Sequence, residues 1–186
     1  MAEKKKQRVI KQSILLTEGV KAEITNGLIK ITGEKGNLER DFTIPNIKVT
    51  QEENNVVVTS STNATQREKK MIGTIKSHIQ NMISGVSEGH VYKLKICSGH
   101  FPMNVSVSGS KLEIKNFIGE ADSRRLDIKQ GADVKVEGDI ITVESLNKET
   151  AGQVAADIER LTKRPGFDTR IFQDGIYIIE KDGKTV

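Results

Sequence analysis

Hydrophobic and polar residues alternate in two stretches of the chain that repeat one another. Residues 20–36 read VKAEITNGLIKITGEKG and residues 103–119 read MNVSVSGSKLEIKNFIG, at an offset of 83 positions. In each stretch, two alternating runs flank a short segment of Gly, Asn or Ser, which is the pattern of a β-hairpin. The offset pairs Ala22 with Val105, Ile24 with Val107, Ile29 with Leu112, Ile31 with Ile114, and Gly36 with Gly119.

A second repeat follows the first, and a helical segment follows each copy of it. Residues 54–60, NNVVVTS, align with residues 138–145, GDIITVES, at an offset of 84. Repetition of strands followed by a helix indicates a duplicated unit of about 80 residues. We therefore predict an α+β fold of two duplicated domains, residues 1–88 and 89–186, each a small, mostly antiparallel sheet packed with one helix. The boundary is expected between Gly85 and Gly89.

Both helices have recognisable starts and apolar faces. The first begins with the capping-box pattern Thr65-Gln66-Arg67-Glu68, and Gly85 is predicted to mark its end. The second begins at Asn147 and ends before Pro165-Gly166. The expected core positions are Ile72, Ile75, Ile79, Met82 and Ile83 in the first helix, and Val154, Ala155, Ile158 and Leu161 in the second.

The second half has features of its own. Residues 91–97, VYKLKIC, are predicted to open it as a strand, and residues 167–181 have no counterpart in the first half. Within this addition, Asp174-Gly175 is predicted to form a tight turn, while Phe172, Ile176 and Ile178 fill the core. Six of the seven aromatic residues also fall in the second half, which favours a better-built core there.

Composition and charge limit the choice of function. The chain of 186 residues is 35% hydrophobic and 29% charged, which favours small cores and a large polar surface. Residues 1–88 contain 14 basic and 10 acidic side chains, whereas residues 89–186 contain 15 of each. The excess lies in the first eleven residues, where Lys4 to Lys6, Arg8 and Lys11 are interpreted as a solvated end. A nucleic-acid-binding protein with this balance needs its cations segregated on one face.

Neither a membrane protein nor an exported one is indicated. No apolar run is long enough to cross a bilayer, and the basic N-terminus lacks the hydrophobic region of a signal peptide. The single Cys97 excludes an intramolecular disulfide and favours a reducing, cytoplasmic location.

No group of residues supports catalysis or a cofactor. The ending DGKTV lacks the preceding glycine of a phosphate-binding loop, since position 178 is Ile. His90, Cys97 and His100 have too few partners for a zinc site, and no neighbouring residue activates the thiol. Carboxylate pairs such as Glu52-Glu53 fall in a polar turn. We therefore predict no metal, no cofactor and no enzymatic activity.

Several stretches, taken in order, resemble one known family. They are SHIQNMISGVSEG (77–89), YKLKI (92–96), GHFPMNV (99–105), EIKNFIGE (113–120) followed by Arg124-Arg125, and R-x-F-x-D-G-I-Y-x-x-E-K (170–181). Together they are similar to ribosomal protein L-six of the large subunit, in its archaeal and eukaryotic form, over nearly the whole chain. The Tyr-Lys-Gly-Lys-Gly type of signature found in the bacterial branch is absent. The absence of tryptophan favours an archaeal type.

This resemblance implies a structural protein of the cytoplasmic ribosome that acts in translation. It implies binding to large-subunit rRNA, mainly through the C-terminal domain, near the sarcin–ricin stem and beside the surface where elongation factors dock. Neighbouring ribosomal proteins would be further partners. The alternative that the residues leave open is a duplicated, β-rich protein-interaction adaptor that does not bind rRNA.

The expected RNA contacts lie in the second domain. Arg170 and Lys181 can pair with phosphates, and the Asp174-Gly175 turn would let the backbone approach one. The other candidates are Arg124, Arg125, Lys163, Arg164 and Tyr177. Because aromatic residues are scarce, we expect recognition of helical RNA shape and backbone rather than stacking on unpaired bases.

Overall fold

The computed structural model describes residues 9–52, 54–61, 64–168 and 170–186. The basic residues Lys4 to Lys6 and Arg8, as well as Glu53, lie outside the described residues. The chain divides into two compact units, Met1–Glu88 and Gly89–Val186. We call them unit 1 and unit 2.

Unit 1 contains two antiparallel sheets and one long helix. The sheets have three strands each, in the orders β1-β6-β5 and β2-β3-β4. The elements are β1 (Lys11–Leu15), β2 (Lys21–Thr25), β3 (Leu28–Thr32), β4 (Asn37–Asp41), β5 (Ile47–Glu52), β6 (Asn55–Ser60) and α1 (Gln66–Ser87).

Unit 2 repeats this plan with a wider second sheet. One sheet has the order β10-β9-β8, and the other has five strands in the order β11-β12-β7-β13-β14. All strand pairs in both units are antiparallel, which confirms the predicted α+β fold. The elements are β7 (His90–Cys97), β8 (Asn104–Ser108), β9 (Lys111–Lys115), a short 3-10 helix (Phe117–Gly119), β10 (Arg124–Asp127), β11 (Ala132–Glu137), β12 (Ile140–Ser145), α2 (Lys148–Leu161), β13 (Gly175–Lys181) and β14 (Lys184–Thr185).

The first repeat is confirmed down to the register of its strands. Ala22 pairs with Ile31 in the β2–β3 hairpin, and Val105 pairs with Ile114 in the β8–β9 hairpin, so the offset of 83 holds on both strands. Ile31 and Ile114 are both fully buried. The alternation in sequence therefore places equivalent side chains on equivalent core faces.

The second repeat is real, but its predicted offset of 84 is wrong by one residue. The fully buried pairs are Val56 with Ile141 and Val58 with Val143, which are 85 positions apart. Because side chains alternate across a strand, a shift of one residue would exchange the buried and exposed faces. The burial of these side chains therefore identifies the equivalent residues of β6 and β12, which sequence similarity had placed one position off.

Helix α1 begins as predicted but ends later. The Thr65 side chain accepts from Glu68 N, and the Glu68 carboxylate accepts from Thr65 N, which completes the capping box. Gly85 does not end the helix, because it is buried in the last turn and α1 continues to Ser87. The residue with a left-handed backbone is Gly89, with φ +79°, which is the usual conformation of a glycine that follows a helix.

Helix α2 follows its prediction closely. Asn147 Oδ1 accepts from Glu149 N at 2.9 Å, so Asn147 is the N-cap. The helix ends at Leu161, and its buried face consists of Ala151, Val154, Ala155 and Ile158.

The C-terminal segment adds a strand beside β7. Strand β13 pairs with β7 from Gly175–Cys97 to Lys181–Tyr92, and among the described residues the corresponding sheet of unit 1 has no strand at this position. The predicted turn at Asp174-Gly175 is wrong, because Gly175 is the first residue of this strand. The tight turn lies instead at Asp182-Gly183, with φ +54° and +77°, between β13 and β14.

The aromatic residues do not build the second core. Of the six in unit 2, only Tyr92 and Phe117 are buried; Phe101, Phe167 and Tyr177 are exposed, and Phe172 is half-buried. Ile176 is fully buried and Ile178 packs against the core, as predicted, but Phe172 is not part of it. Aliphatic side chains make up most of both cores, and four of the six aromatic residues of unit 2 lie outside its buried core.

Candidate functional site

A cleft of about 380 Å³ opens in unit 2 where the end of α2 meets the start of β13. Helix α2 and its cap supply one wall, loop residues within 163–168 and 170–174 supply the rim, and β13 supplies the floor. Among the expected RNA contacts, Lys163, Arg164, Asp174 and Tyr177 all line it. The complete lining is Ile118, Glu159, Thr162, Lys163, Arg164, Pro165, Phe167, Phe172, Asp174, Ile176 and Tyr177.

Hydrogen bonds from the end of α2 hold the wall and the floor together. Thr162 Oγ1 accepts from Ile176 N and donates to the Glu159 carbonyl, both at 3.0 Å. Glu159 Oε1 accepts from Ile178 N at 3.4 Å. Because two of these bonds satisfy backbone donors of β13, the cleft has a fixed base although its rim is a loop.

Asp174 anchors the cleft from inside. Its Oδ1 accepts from Gly99 N at 2.6 Å and from His100 N at 2.9 Å, and its Oδ2 lies 2.5 Å from His100 Nδ1. Burial by itself would raise the pKa of Asp174, but the hydrogen bonds from His100 and Gly99 outweigh it and lower that pKa. Asp174 was expected in an RNA-contacting turn, whereas its carboxylate is buried and committed to the loop after β7.

Three aromatic rings gather at this cleft. Phe167 and Phe172 meet edge to face, with centroids 4.9 Å apart, and Phe172 lies 5.1 Å from the His100 ring. Tyr177 projects from β13 with its ring exposed, and partial burial raises the pKa of its hydroxyl. Although aromatic residues are few in the chain, these side chains are available to a ligand.

Cations stand on the rim of the cleft and near it. The Arg164 guanidinium lies 4.2 Å from the centroid of the Phe167 ring, and Lys163 is exposed beside it. Arg170 is 88% exposed and forms an ion pair with Asp168 at 2.9 Å. An exposed ion pair of this kind is weak, so Arg170 can exchange its partner at small cost.

Arg124 and Arg125 differ in what they can do. Arg124 is 22% exposed, donates to both carboxylate oxygens of Glu120 at 2.7 and 2.8 Å, and stacks 4.4 Å from the Phe117 centroid. It also donates to the Leu161 carbonyl at 2.5 Å, which joins β10 to the end of α2. Arg125 is 70% exposed and forms an ion pair with Glu113, at 3.0 Å. Both lie on a strand rather than a loop, and Arg125 is the one that presents its charge to solvent.

Of the remaining candidates, Lys181 lies away from the cleft and Gly175 lies beneath a residue that lines it. Lys181 is exposed at the far end of β13, roughly 20 Å from Gly175 at the rise of a β-strand. Gly175 itself lies under Tyr177, because a Cβ at this position would come within 3.2 Å of the tyrosine hydroxyl. The expected site is therefore a cleft with a basic rim, plus Lys181 and Arg125 at a distance.

A second basic surface, which the sequence analysis missed, lies on α1. Arg67, Lys69 and Lys70 are exposed and Lys76 is half-buried. In the described part of the chain none of the four forms an ion pair. The helix has one carboxylate, Glu68, and this is occupied by the cap. The signal was present in sequence, since the polar face of a 22-residue helix contains four cations and one acid.

Of the three residues considered for a metal, His90 and His100 each contact a carboxylate. His90 is buried and its Nδ1 lies 2.9 Å from Asp182, whose carboxylate also holds Lys148 at 3.1 Å. Cys97 is a half-buried free thiol. Within the described ranges no group of three or more His, Cys, Asp or Glu side chains could hold a metal ion. Nor does any helix there have the length and apolar character required to cross a membrane.

Comparison with known proteins identifies relatives along nearly the full chain. The family described as "Ribosomal protein L6" matches residues 16–89 and 101–175, one segment in each unit. The chain is 44% identical to "Large ribosomal subunit protein uL6" of Methanobrevibacter smithii, over 93% of this chain and 97% of the relative. It is 44% identical to the protein of that name from Methanococcus vannielii, over 96% of this chain and 97% of the relative. It is 45% identical to the one from Methanosarcina mazei, over 92% of this chain and 97% of the relative.

Proposed function

The chain belongs to the ribosomal protein L6 family, and from this membership we propose that it is a structural constituent of the large ribosomal subunit. The observation that carries the proposal is identity of about 44% to curated large-subunit proteins over almost the full length of both partners. The relatives are archaeal, in agreement with the predicted archaeal type. The chain is accordingly a non-enzymatic protein of the cytoplasmic ribosome that serves translation.

Within the subunit, we propose that unit 2 binds rRNA through the cleft rim. Lys163 and Arg164 line the opening and Arg170 lies between α2 and β13 with its side chain exposed, whereas unit 2 as a whole has 15 basic and 15 acidic residues. Segregated cations of this kind attract the phosphate backbone even where the net charge of the domain is zero. Arg125 and Lys181 extend the proposed surface. Arg124 has a structural part, because it donates to the Leu161 carbonyl and so holds β10 against the end of α2.

Unit 1 offers a second region for phosphate contacts. Arg67, Lys69 and Lys70 occupy the first turns of α1, where the helix dipole and their mutual repulsion both oppose positive charge. Phosphates placed along the helix face would relieve this repulsion. We therefore include the α1 cations in the proposed contact with the ribosome, after those of unit 2.

The finer location rests on the family resemblance. We propose a position near the sarcin–ricin stem, beside the surface where translation factors dock, with other ribosomal proteins as neighbours. A protein in such a position needs a cationic side toward the RNA and tolerates acidic sides elsewhere, which agrees with the charge balance of unit 2.

Sedimentation tests the function directly. The tagged chain, added to cell extract, should travel with the large subunit in a gradient at low salt and be released at high salt, because counterions compete for phosphate. A chain with Arg125, Lys163, Arg164 and Arg170 all changed to Gln should leave the subunit at lower salt. If the unaltered chain stays at the top of the low-salt gradient, the ribosomal role is refuted and the adaptor alternative is favoured.

A further inference from the structure

We propose that the cleft between α2 and β13 receives one unpaired nucleobase of the bound rRNA, while the basic rim holds the phosphates that flank it. This inference rests on the proposed binding of rRNA through unit 2. It goes further by assigning the occupant of the cleft and the side chains that hold it. It also reverses the expectation, drawn from the low aromatic content, that bases are not stacked.

The size and lining of the cleft suit a base. Its volume of about 380 Å³ lies near the lower end of the range of small-ligand sites, roughly 300–1,000 Å³. Phe167, Phe172 and Tyr177 provide aromatic surface, and Ile176 provides an apolar floor. Unpaired bases in RNA complexes commonly stack on such rings or on a guanidinium plane. Arg164 already lies against the Phe167 ring in this way.

The polar groups of the cleft match the edge of a base. Of the two carboxylates, Asp174 is buried and already accepts hydrogen bonds from Gly99 and His100 through both oxygens. Glu159 uses only Oε1, for Ile178 N, which leaves its other oxygen as an acceptor in the described structure. An acceptor beside aromatic rings favours bases with an exocyclic amino group, which are adenine, cytosine and guanine.

The charges select a nucleotide over an uncharged apolar ligand. Lys163 and Arg164 line the opening, and Arg170 lies on the same loop with its side chain in solvent. Cations at the mouth and aromatic rings in the lining together offer a contact for the phosphate and a contact for the base of one nucleotide. An uncharged apolar chain would use the rings but would leave this rim without a matching anion.

Two experiments on the full-length chain test the assignment. The first is binding of a large-subunit rRNA fragment over a salt series, with Phe172→Ala and Phe172→Leu compared with Phe101→Ala. Phe101 is a matched control, since it is an aromatic residue of unit 2, 47% exposed and outside the cleft. We expect both Phe172 variants to bind roughly 5- to 150-fold more weakly at every salt concentration, as loss of one stacked base implies. The salt slope should not change, because no cation that faces a phosphate is removed.

The second experiment is titration of the labelled chain with AMP and with ribose 5-phosphate, followed by nuclear magnetic resonance of backbone amides. AMP should shift amides at the cleft in a saturable manner, and ribose 5-phosphate should not. Equal shifts with both compounds would mean that the rim binds phosphate and the cleft holds no base, which overturns the inference.

The rRNA result also separates this inference from the proposed function. If the Phe172 variants bind rRNA as tightly as Phe101→Ala does, the inference fails while rRNA binding stands. If the unaltered chain does not bind the fragment at any salt concentration, the proposed function of unit 2 fails instead. Thermal melting of each variant shows whether a loss of affinity follows loss of structure; Phe172→Leu keeps apolar bulk and is expected to fold normally.

Discussion

Oδ2 of Asp174 lies 2.5 Å from Nδ1 of His100, and this contact joins the loop after β7 to the residue that precedes β13. The same carboxylate accepts two backbone hydrogen bonds through its other oxygen. One buried side chain thus fixes two segments that are 74 residues apart in sequence and adjacent in the sheet.

Replacing this carboxylate should weaken unit 2. Asp174→Asn keeps the shape but loses the charge that strengthens three hydrogen bonds, and its amide nitrogen replaces one of the two accepting oxygens. We expect the free energy of unfolding to fall by roughly 1.5–3 kcal/mol, the scale of hydrogen bonds to a charged group. Asp168→Asn is the matched control, because Asp168 is exposed and its carboxylate pairs with the exposed Arg170. Denaturant melts of both variants make the comparison, and equal stability would contradict the anchoring role.

Stability of unit 2 should decline in acid. Burial raises the pKa of Asp174 and Asp182, but hydrogen bonds from His100 and Gly99 to the first, and from His90 and Lys148 to the second, lower both values on balance. Such groups stabilise the fold fully above their ordinary pKa of 3.8, and the contribution is lost as the pH falls below it through the lower folded value.

Melts of the unaltered chain and of Asp174→Asn, from neutral pH to pH values below 3.8, measure this effect. The difference in stability between the two chains should be largest near neutral pH and should shrink as the carboxylate is protonated. A difference that is constant across this range would assign the effect of the substitution to packing rather than charge.

The sequence predicted the elements that depend on local patterns. The hairpins, the capping box at Thr65 and the N-cap at Asn147 need only neighbouring residues, and each was found where expected. The end of α1 was misplaced because a glycine can sit buried in a helix, as Gly85 does, as well as follow one. Local pattern alone cannot separate these two uses.

The candidate site was less predictable because it depends on partners distant in sequence. Asp174-Gly175 has the composition of a turn, yet Asp174 binds the loop at residues 99 and 100, and the chain turns at Asp182-Gly183 instead. The pairing of Arg124 with Glu120 and the gathering of rings at the cleft arise in the same way. Residue type indicated which side chains could bind RNA, and tertiary contacts determine which of them are free to do so.

Binding of phosphate by Arg170 and Lys181 should appear in the salt dependence of rRNA affinity. Changing either residue to Ala should weaken rRNA binding and reduce the magnitude of the salt slope by roughly 0.7–0.9 for each phosphate that is no longer neutralised. Lys135→Ala is the control, since Lys135 lies on β11, at the opposite edge of the five-stranded sheet. Filter binding over a salt series gives both quantities. If affinity and slope are unchanged for Arg170→Ala and Lys181→Ala, neither residue contacts phosphate, and the RNA-binding face must lie around Lys163 and Arg164, Arg125 or the cations of α1.

Two neighbouring apolar residues should respond differently to truncation. Ile176 is fully buried in the core, so Ile176→Ala should cost about 2–5 kcal/mol of unfolding free energy. Phe172 is half-buried and lies outside that core, so Phe172→Ala should cost less, despite removing a larger side chain. Denaturant melts of both variants show which substitution lowers the free energy of unfolding more. A larger loss for Phe172→Ala would mean that the cleft rim is essential to folding and not only to binding.

Each unit should fold without the other. Among the described residues, the buried residues of the first core lie between Ile14 and Val86, and those of the second lie between Tyr92 and Ile176. Each core is therefore built from residues of its own unit. We expect a fragment of residues 89–186 to unfold in one cooperative transition, because its five-stranded sheet and α2 enclose a complete core. The matched control is the same fragment with Ile176→Ala, which should keep the transition and move it to lower denaturant. Circular dichroism of both fragments decides the matter: a broad, non-cooperative loss of signal in the unaltered fragment would show that unit 2 needs residues 1–88 to form its core.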